Sequence, residues 1–280
     1  MPLGGLIFVI VRPFLKKDIS IIQKNLRITG RFEAQIFDPF AKSVFVSQFA
    51  HALDTQRFLR DSVPFEIEGW QECVNQFSRF KESQSNKGLI VITAHIGSWD
   101  LAGHFAAKAM KQVGLGDFFV LAKPSKTRWI DPLLERLRVR LGMKVLWTGG
   151  KSILKDMMKT LTQGHALGFV MDQRPEIHGS GHQLKFLGVE STDVVRGTGT
   201  MATRFDVGVM SIYCVRIGVN QMKLITRIVL PSGHGIKEES LLTQQLVADL
   251  ESAIVSHPTA WAWNYRRWKK HPAYESLSKG

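Results

Sequence analysis

From residue 88 onward, apolar and polar positions fall into blocks that predict strands and helices in turn. "GLIVITAH" (88–95) is a short β-branched run of the kind that fills a buried strand. "WDLAGHFAAKAM" (99–110) is rich in helix formers and follows Ser98, a good N-cap residue. "FFVLAK" (118–123) predicts the next strand, and "WIDPLLERLRVRLG" (129–142) a helix closed by Gly142. The rhythm continues with a strand at "KVLWT" (144–148), a helix at "KSILKDMMKTLTQG" (151–164) and a strand at "ALGFVMD" (166–172). Two long runs, 208–218 and 222–231, are separated by a few residues including Asn220 and predict an antiparallel hairpin. A last helix over 237–256 sets Leu242, Leu246, Leu250 and Ile254 on one face and stops before His257-Pro258. Such alternation with short connections predicts an α/β fold, a mostly parallel central sheet flanked by helices.

Upstream, residues 19–60 read as helical, interrupted only by Gly30 and Pro39, and "KESQSNKG" (81–88) reads as a loop. The first residues, "MPLGGLIFVIVRPFLKK", form an apolar run broken by Arg12 and closed by lysines. It is shorter than the roughly 20 apolar residues a spanning helix needs. Its positive charge follows the apolar part, the reverse of a secretory signal. Two readings stand: an interfacial segment with apolar side chains in lipid and lysines among head groups, or a buried first helix. No compositional break divides the rest, so the expected organisation is an interfacial segment over 1–18 and one domain over 19–280.

Composition narrows the partners. Among 280 residues, 37 Lys+Arg against 24 Asp+Glu give a formal net charge of +13. That excess favours acidic partners, whether nucleic acid, phospholipid or an acidic carrier protein. The two cysteines, Cys73 and Cys214, form no metal-binding spacing and no disulfide framework, in keeping with a reducing cytoplasm.

His95 closes a predicted strand, and Asp100 opens the helix that follows. Ligands of open α/β sheets bind at such strand ends. If Asp100 meets one imidazole nitrogen, it fixes the tautomer and leaves the other nitrogen free to accept a hydroxyl proton. The plainer alternative is an aspartate that complements the helix dipole beside a polar strand-end plug. "TGGKSIL" (148–154) ends like a phosphate loop, yet Val145 stands where that motif needs glycine. A phosphate on Lys151 at the helix start and a simple strand–turn–helix explain it equally well. "HGSGH" (178–182) offers two histidines with no third ligand in view, so no metal site is expected. "AWAWNYRRWKKHP" (260–272) interleaves aromatics with Arg266, Arg267, Lys269 and Lys270. Three readings are open there: single-stranded nucleic acid, a membrane surface, or buried tryptophans behind a solvated basic face.

Four motifs in register resemble the bacterial lipid A late acyltransferases, the lauroyl and myristoyl transferases of the lysophospholipid-acyltransferase-like group. "HIGSWD" matches that family's His-x-x-x-x-Asp/Glu. "VLAKPSKTRWIDPLLERLRVRLG" matches its strand, proline and arginine-bearing helix. "GFVMDQRPEIHGSGHQLKFLG" matches its Asp-Gln strand end and Phe-x-Gly element through Asp172, Gln173, Phe186 and Gly188. "PTAWAWNYRRWK" matches its tail. The resemblance spans about 20–272. It implies transfer of a fatty acyl chain from a thioester, usually on acyl carrier protein, to a hydroxyl of a membrane glycolipid such as a lipid A precursor. It further implies work at the cytoplasmic face of the bacterial inner membrane. His95 is then the expected general base, Asp100 its orienting partner, and Arg138, Asp172 and Gln173 the expected substrate-binding or supporting residues. No cofactor, metal or nucleic acid is implied. Backbone N–H groups near Gly97 are the expected oxyanion donors. A donor of acyl-CoA, a different polar lipid as acceptor, and a non-enzymatic basic nucleic-acid-binding module are the alternatives.

Overall fold

The computed structural model describes residues 15–31, 34–60, 63–83, 88–125, 127–150 and 152–277. The chain enters through α1 (Lys16–Thr29) and α2 (Phe37–Leu59). Gly30, left-handed at φ 61°, separates the two and so divides the helical stretch predicted over 19–60. The apolar segment at the N-terminus lies, up to residue 14, outside the described residues. Among the described residues no helix is long and apolar enough to cross a membrane.

The strands are β1 (Glu66–Glu68), β2 (Leu89–Thr93), β3 (Phe118–Ala122), β4 (Lys144–Trp147), β5 (Ala166–Val170), β6 (His182–Phe186), β7 (Val189–Val194), β8 (Val209–Gly218) and β9 (Gln221–Leu230). Seven of them form one sheet in the order β1-β9-β8-β2-β5-β3-β4, while β6 and β7 pair separately. Only β8 and β9 run antiparallel in the large sheet; its other neighbouring pairs are parallel. The expected mostly parallel sheet flanked by helices is therefore present, with the added hairpin where the alternation placed it. Parallel strands buried on both faces need uninterrupted apolar runs, which explains "LIVIT" in β2.

The remaining helices are α3 (Trp70–Glu82), α4 (Trp99–Val113), α5 (Asp131–Arg140), α6 (Ile153–Thr162), α7 (Gly197–Phe205), α8 (Glu239–Ser256) and α9 (Pro272–Ser276). Successive β2 side chains feed opposite cores. Ile90 and Ile92 join α1, α2, α6, α7, α8 and three tryptophans on one side. Leu89 and Val91 join α3 and α4 on the other. The leucines and isoleucine spaced by four in α8 are all buried, as the pattern predicts. Elements with no predicted counterpart are β1, α3, α7, the β6–β7 hairpin and α9, which follows the helix expected to be last.

Chain order makes the site. After β2 the chain builds β3 and β4 outward, then returns to insert β5 between β2 and β3. The carboxyl ends of β2 and β5 thus lie side by side, in register from Leu89 opposite Ala166 to Thr93 opposite Val170. Residues two positions beyond each strand, His95 and Asp172, are brought together although 77 positions apart.

Candidate active site

Asp172, not Asp100, meets the imidazole. His95 Nδ1 lies 2.8 Å from Asp172 Oδ1, and the His95 backbone N–H donates to Asp172 Oδ2 at 3.1 Å. A third donor, Trp261 Nε1, reaches Oδ2 at 2.7 Å. Burial of Asp172 pushes its carboxyl upward, but His95 and these hydrogen bonds outweigh burial and hold it below the usual carboxylate range. An ionised carboxylate only accepts, so Nδ1 carries a proton, and in the neutral ring Nε2 is the acceptor. The amide nitrogen of Gln173 stands 3.4 Å from that Nε2. Burial alone would lower the imidazole; Asp172 first, then the charge of Asp100, reverse this and raise it above the ordinary histidine value.

The expected partnership with Asp100 is corrected by the path of the chain. Both the N–H and Nδ1 of His95 turn toward the end of β5, while Asp100 sits in the first turn of α4 and faces Arg138. Asp100 Oδ1 to Arg138 Nε is 3.7 Å. Burial raises the Asp100 carboxyl more than Arg138 and His95 lower it. Asp100 remains near enough to act on His95 through its charge, and both acids line one chamber or support it. That chamber, about 460 Å3, is lined by His95, Trp99, Asp100, Arg138, Gln173 and Arg174 at its polar end. Its apolar wall comes from sheet and helix side chains including Val91, Phe118, Val120, Leu134, Met143 and Ile212. The structure thus gathers all five predicted site residues, with Asp172 exchanging places with Asp100.

Of the expected oxyanion donors near Gly97, the N–H groups of residues 97 and 98 are already used by the backbone. Gly97 N–H donates to the Ala260 carbonyl at 3.0 Å and Ser98 N–H to the Cys214 carbonyl at 2.8 Å. Gly97 is left-handed at φ 59°, and a Cβ there would run into the Cys214 carbonyl, so only glycine permits this close approach. Side-chain donors within the chamber are the Gln173 amide, Lys123, which pairs with Glu176, and the guanidinium groups of Arg138 and Arg174. Among the described residues Arg174 Nε has no hydrogen-bond partner.

The C-terminal tail builds the catalytic loop. Ile96 bridges Trp261, and Ala262 N–H donates to the His95 carbonyl at 3.0 Å. Trp261, Trp263 and Trp268 are each at most 2% exposed and pack edge to face, Trp261 on Trp263 at 4.7 Å. Of the three readings of "AWAWNYRRWKKHP", buried tryptophans behind a basic face is the observed one, with Lys269 and Lys270 exposed. Arg267 is buried, donates to the Asp193 carbonyl at 2.8 Å, and burial lowers it to about 10. Trp261 was missed as a site residue because nothing in its local sequence points 89 positions back to an aspartate. Trp261→Phe removes one donor from a fully desolvated carboxylate, which costs about 1–3 kcal/mol. Urea unfolding of wild type and variant measures that loss, and an unchanged midpoint would contradict the bond's role.

Two further motifs are placed in part. His178 and His182 turn to different carboxylates, Asp193 at 3.4 Å and Glu239 at 2.8 Å. Ser152 of "TGGKSIL" donates to Asp156 at 2.8 Å, while Lys151 lies outside the described residues.

A histidine paired with a buried aspartate, facing cations and an apolar wall suit acyl transfer, and comparison with known proteins gives the same class. Residues 10–270 match the family model for bacterial lipid A biosynthesis acyltransferases. The chain is 24% identical over 279 residues to the lipid A biosynthesis palmitoleoyltransferase of Escherichia coli K12, covering 98% of this chain and 86% of that one. Identity and coverage are the same against the lipid A biosynthesis acyltransferase of Shigella flexneri. The chain belongs to the bacterial lipid A biosynthesis acyltransferase family and is an acyltransferase.

Proposed function

We propose that this enzyme moves a fatty acyl chain from an acyl carrier protein thioester to a hydroxyl of a lipid A precursor, with His95 as general base. The observation that supports the mechanism is the contact of His95 Nδ1 with the buried carboxylate of Asp172 at 2.8 Å, which leaves Nε2 as the acceptor of the neutral ring. A hydroxyl is a weak nucleophile at neutral pH until a base takes its proton. Nε2 accepts that proton as the hydroxyl oxygen bonds to the thioester carbonyl carbon. The carbonyl electron pair moves onto oxygen, where Arg138 and Arg174 stabilise it. Collapse breaks the C–S bond, and the imidazolium returns its proton to the departing thiolate. No covalent acyl-enzyme is needed.

Each acid has a part in this scheme. Asp172 holds the tautomer and stabilises imidazolium directly. Asp100 adds a second negative charge facing the imidazolium and positions Arg138. The apolar wall of the chamber accommodates the acyl chain, and the net charge of +13 favours an acidic carrier and a phosphorylated lipid at the cytoplasmic face of the inner membrane. Residues 19–280 act as one catalytic domain, and residues 1–18 as an interfacial segment.

The test supplies purified protein with membrane lipid extract and isotopically distinguishable acyl carrier protein and acyl-CoA donors. Mass spectrometry is expected to show a lipid A precursor gaining an acyl chain that carries the carrier-protein label. Label arriving from acyl-CoA alone, or on a different polar lipid, would overturn the donor or the acceptor respectively.

A further inference from the structure

A second cavity of about 390 Å3 shares Trp99 and Asp100 with the catalytic chamber but none of its other lining residues. Its volume falls in the range of small-ligand sites. Its chemistry differs from that of its neighbour. Gln48, Gln56, Asn264, Thr55, Ser98 and His51 supply amides, hydroxyls and one imidazole. Among the described residues no lysine or arginine lines it, whereas Lys123, Arg138 and Arg174 line the catalytic chamber. Among those residues the one charge on its wall is Asp100, which repels anions.

The polar wall is held in place before any ligand arrives. His51, 5% exposed, has Ser98 Oγ 3.3 Å from Nδ1 and Ser47 Oγ 3.1 Å from Nε2. Burial, then the nearby Arg216, lower His51 to about 4, so the ring is neutral at physiological pH. Arg216 itself is tied to the buried Asp54 behind the cavity. Gln48 donates to Asn264 at 3.0 Å, joining α2 to the C-terminal tail across the opening. The indole of Trp99, 5.0 Å from the His95 ring, stands between the two spaces and offers an aromatic surface.

We infer that this cavity binds an uncharged, hydroxyl- and amide-bearing sugar, the headgroup portion of the acceptor, and seats it so that a hydroxyl passes Trp99 to reach His95. The inference rests on the acyl-transfer reading for the identity of the sugar as acceptor, but the binding itself does not require turnover. Amides and hydroxyls match sugar hydroxyls as donors and acceptors, and the indole matches the apolar face of a pyranose. Anionic groups and the thioester are left to the cationic chamber.

The test uses the full chain and two probes, the neutral disaccharide diacetylchitobiose and N-acetylglucosamine 1-phosphate, read by saturation-transfer NMR. Ala52, exposed on α2, lines the cavity, so Ala52→Phe fills it from the solvent side without touching the core. The disaccharide is expected to bind wild type, the phosphate to add nothing, and Ala52→Phe to weaken binding about tenfold, the scale of one or two lost hydrogen bonds. Gln56→Leu, also exposed, serves as the second variant should Ala52→Phe melt below wild type. In turnover, the same variants raise KM for the acceptor rather than KM for the thioester. Failure of the disaccharide to bind, binding by both variants equal to wild type, or a sugar phosphate that displaces the disaccharide from this cavity and binds it more tightly would overturn the inference. Sugar binding without acyl transfer to any lipid would instead count against the acyl-transfer reading and leave the cavity's role standing.

Discussion

His95→Ala should lose about a thousandfold in acyl-transfer rate, the middle of the range for a general base, while remaining folded. The fold expectation follows from the hydrogen bonds that survive. Asp172 keeps the backbone N–H of residue 95 at 3.1 Å and Trp261 Nε1 at 2.7 Å, losing only the bond at Nδ1. With 24% of its side chain exposed, His95 belongs to neither apolar core beside the sheet. Initial rates with purified acyl-carrier donor and lipid A precursor check the loss, and circular dichroism checks the fold. A folded variant with wild-type rate would remove the imidazole from the chemistry.

Asp172→Asn should be nearly as damaging, for a reason visible in the donors around the carboxylate. Oδ2 accepts from both His95 N–H and Trp261 Nε1, while Oδ1 accepts from Nδ1. An asparagine must keep its carbonyl oxygen toward the two fixed N–H donors, since its NH2 there would face them head-on. The NH2 is then aimed at Nδ1, which becomes the acceptor, and the proton moves to Nε2. The base now carries a proton where it should receive one. A loss of about a hundredfold to ten-thousandfold in kcat is expected from the wrong tautomer together with the missing charge. The 15N shifts of the His95 ring, compared between wild type and variant, report the tautomer directly. Unchanged shifts would contradict the explanation even if activity fell.

The sequence showed the scaffold well because parallel strands buried on both faces must be continuous apolar runs, and "GLIVITAH" and "ALGFVMD" are such runs. It hid β6 and β7, where "HQLKF" and "VESTDV" are short, mostly polar spans after a glycine-rich stretch. The same limit applied to the site. Spacing of five made Asp100 the natural partner of His95, yet the left-handed turn at Gly97 and the start of α4 carry it toward Arg138. The true hydrogen-bond partner lies 77 positions away and becomes a neighbour only when β5 inserts beside β2. Resemblance to the family had marked Asp172 as a supporting residue, without saying what it supports. Trp261 was out of reach of spacing altogether, because its role depends on the tail folding back onto Ile96. N–H groups near Gly97 were assigned to an oxyanion before the backbone partners of Gly97 and Ser98, the Ala260 and Cys214 carbonyls, could be known.

The most direct test of a histidine base held by Asp172 is the pH dependence of the single-turnover acyl-transfer rate. The neutral imidazole is the active form, so the rate must rise with pH through the His95 ionisation and level off above it. Because Asp172 and Asp100 raise that ionisation, the rise should be centred above the ordinary histidine value. The residual rate of His95→Ala should lack this limb. A wild-type rate independent of pH across the histidine range, or the same limb persisting in His95→Ala, would contradict the account.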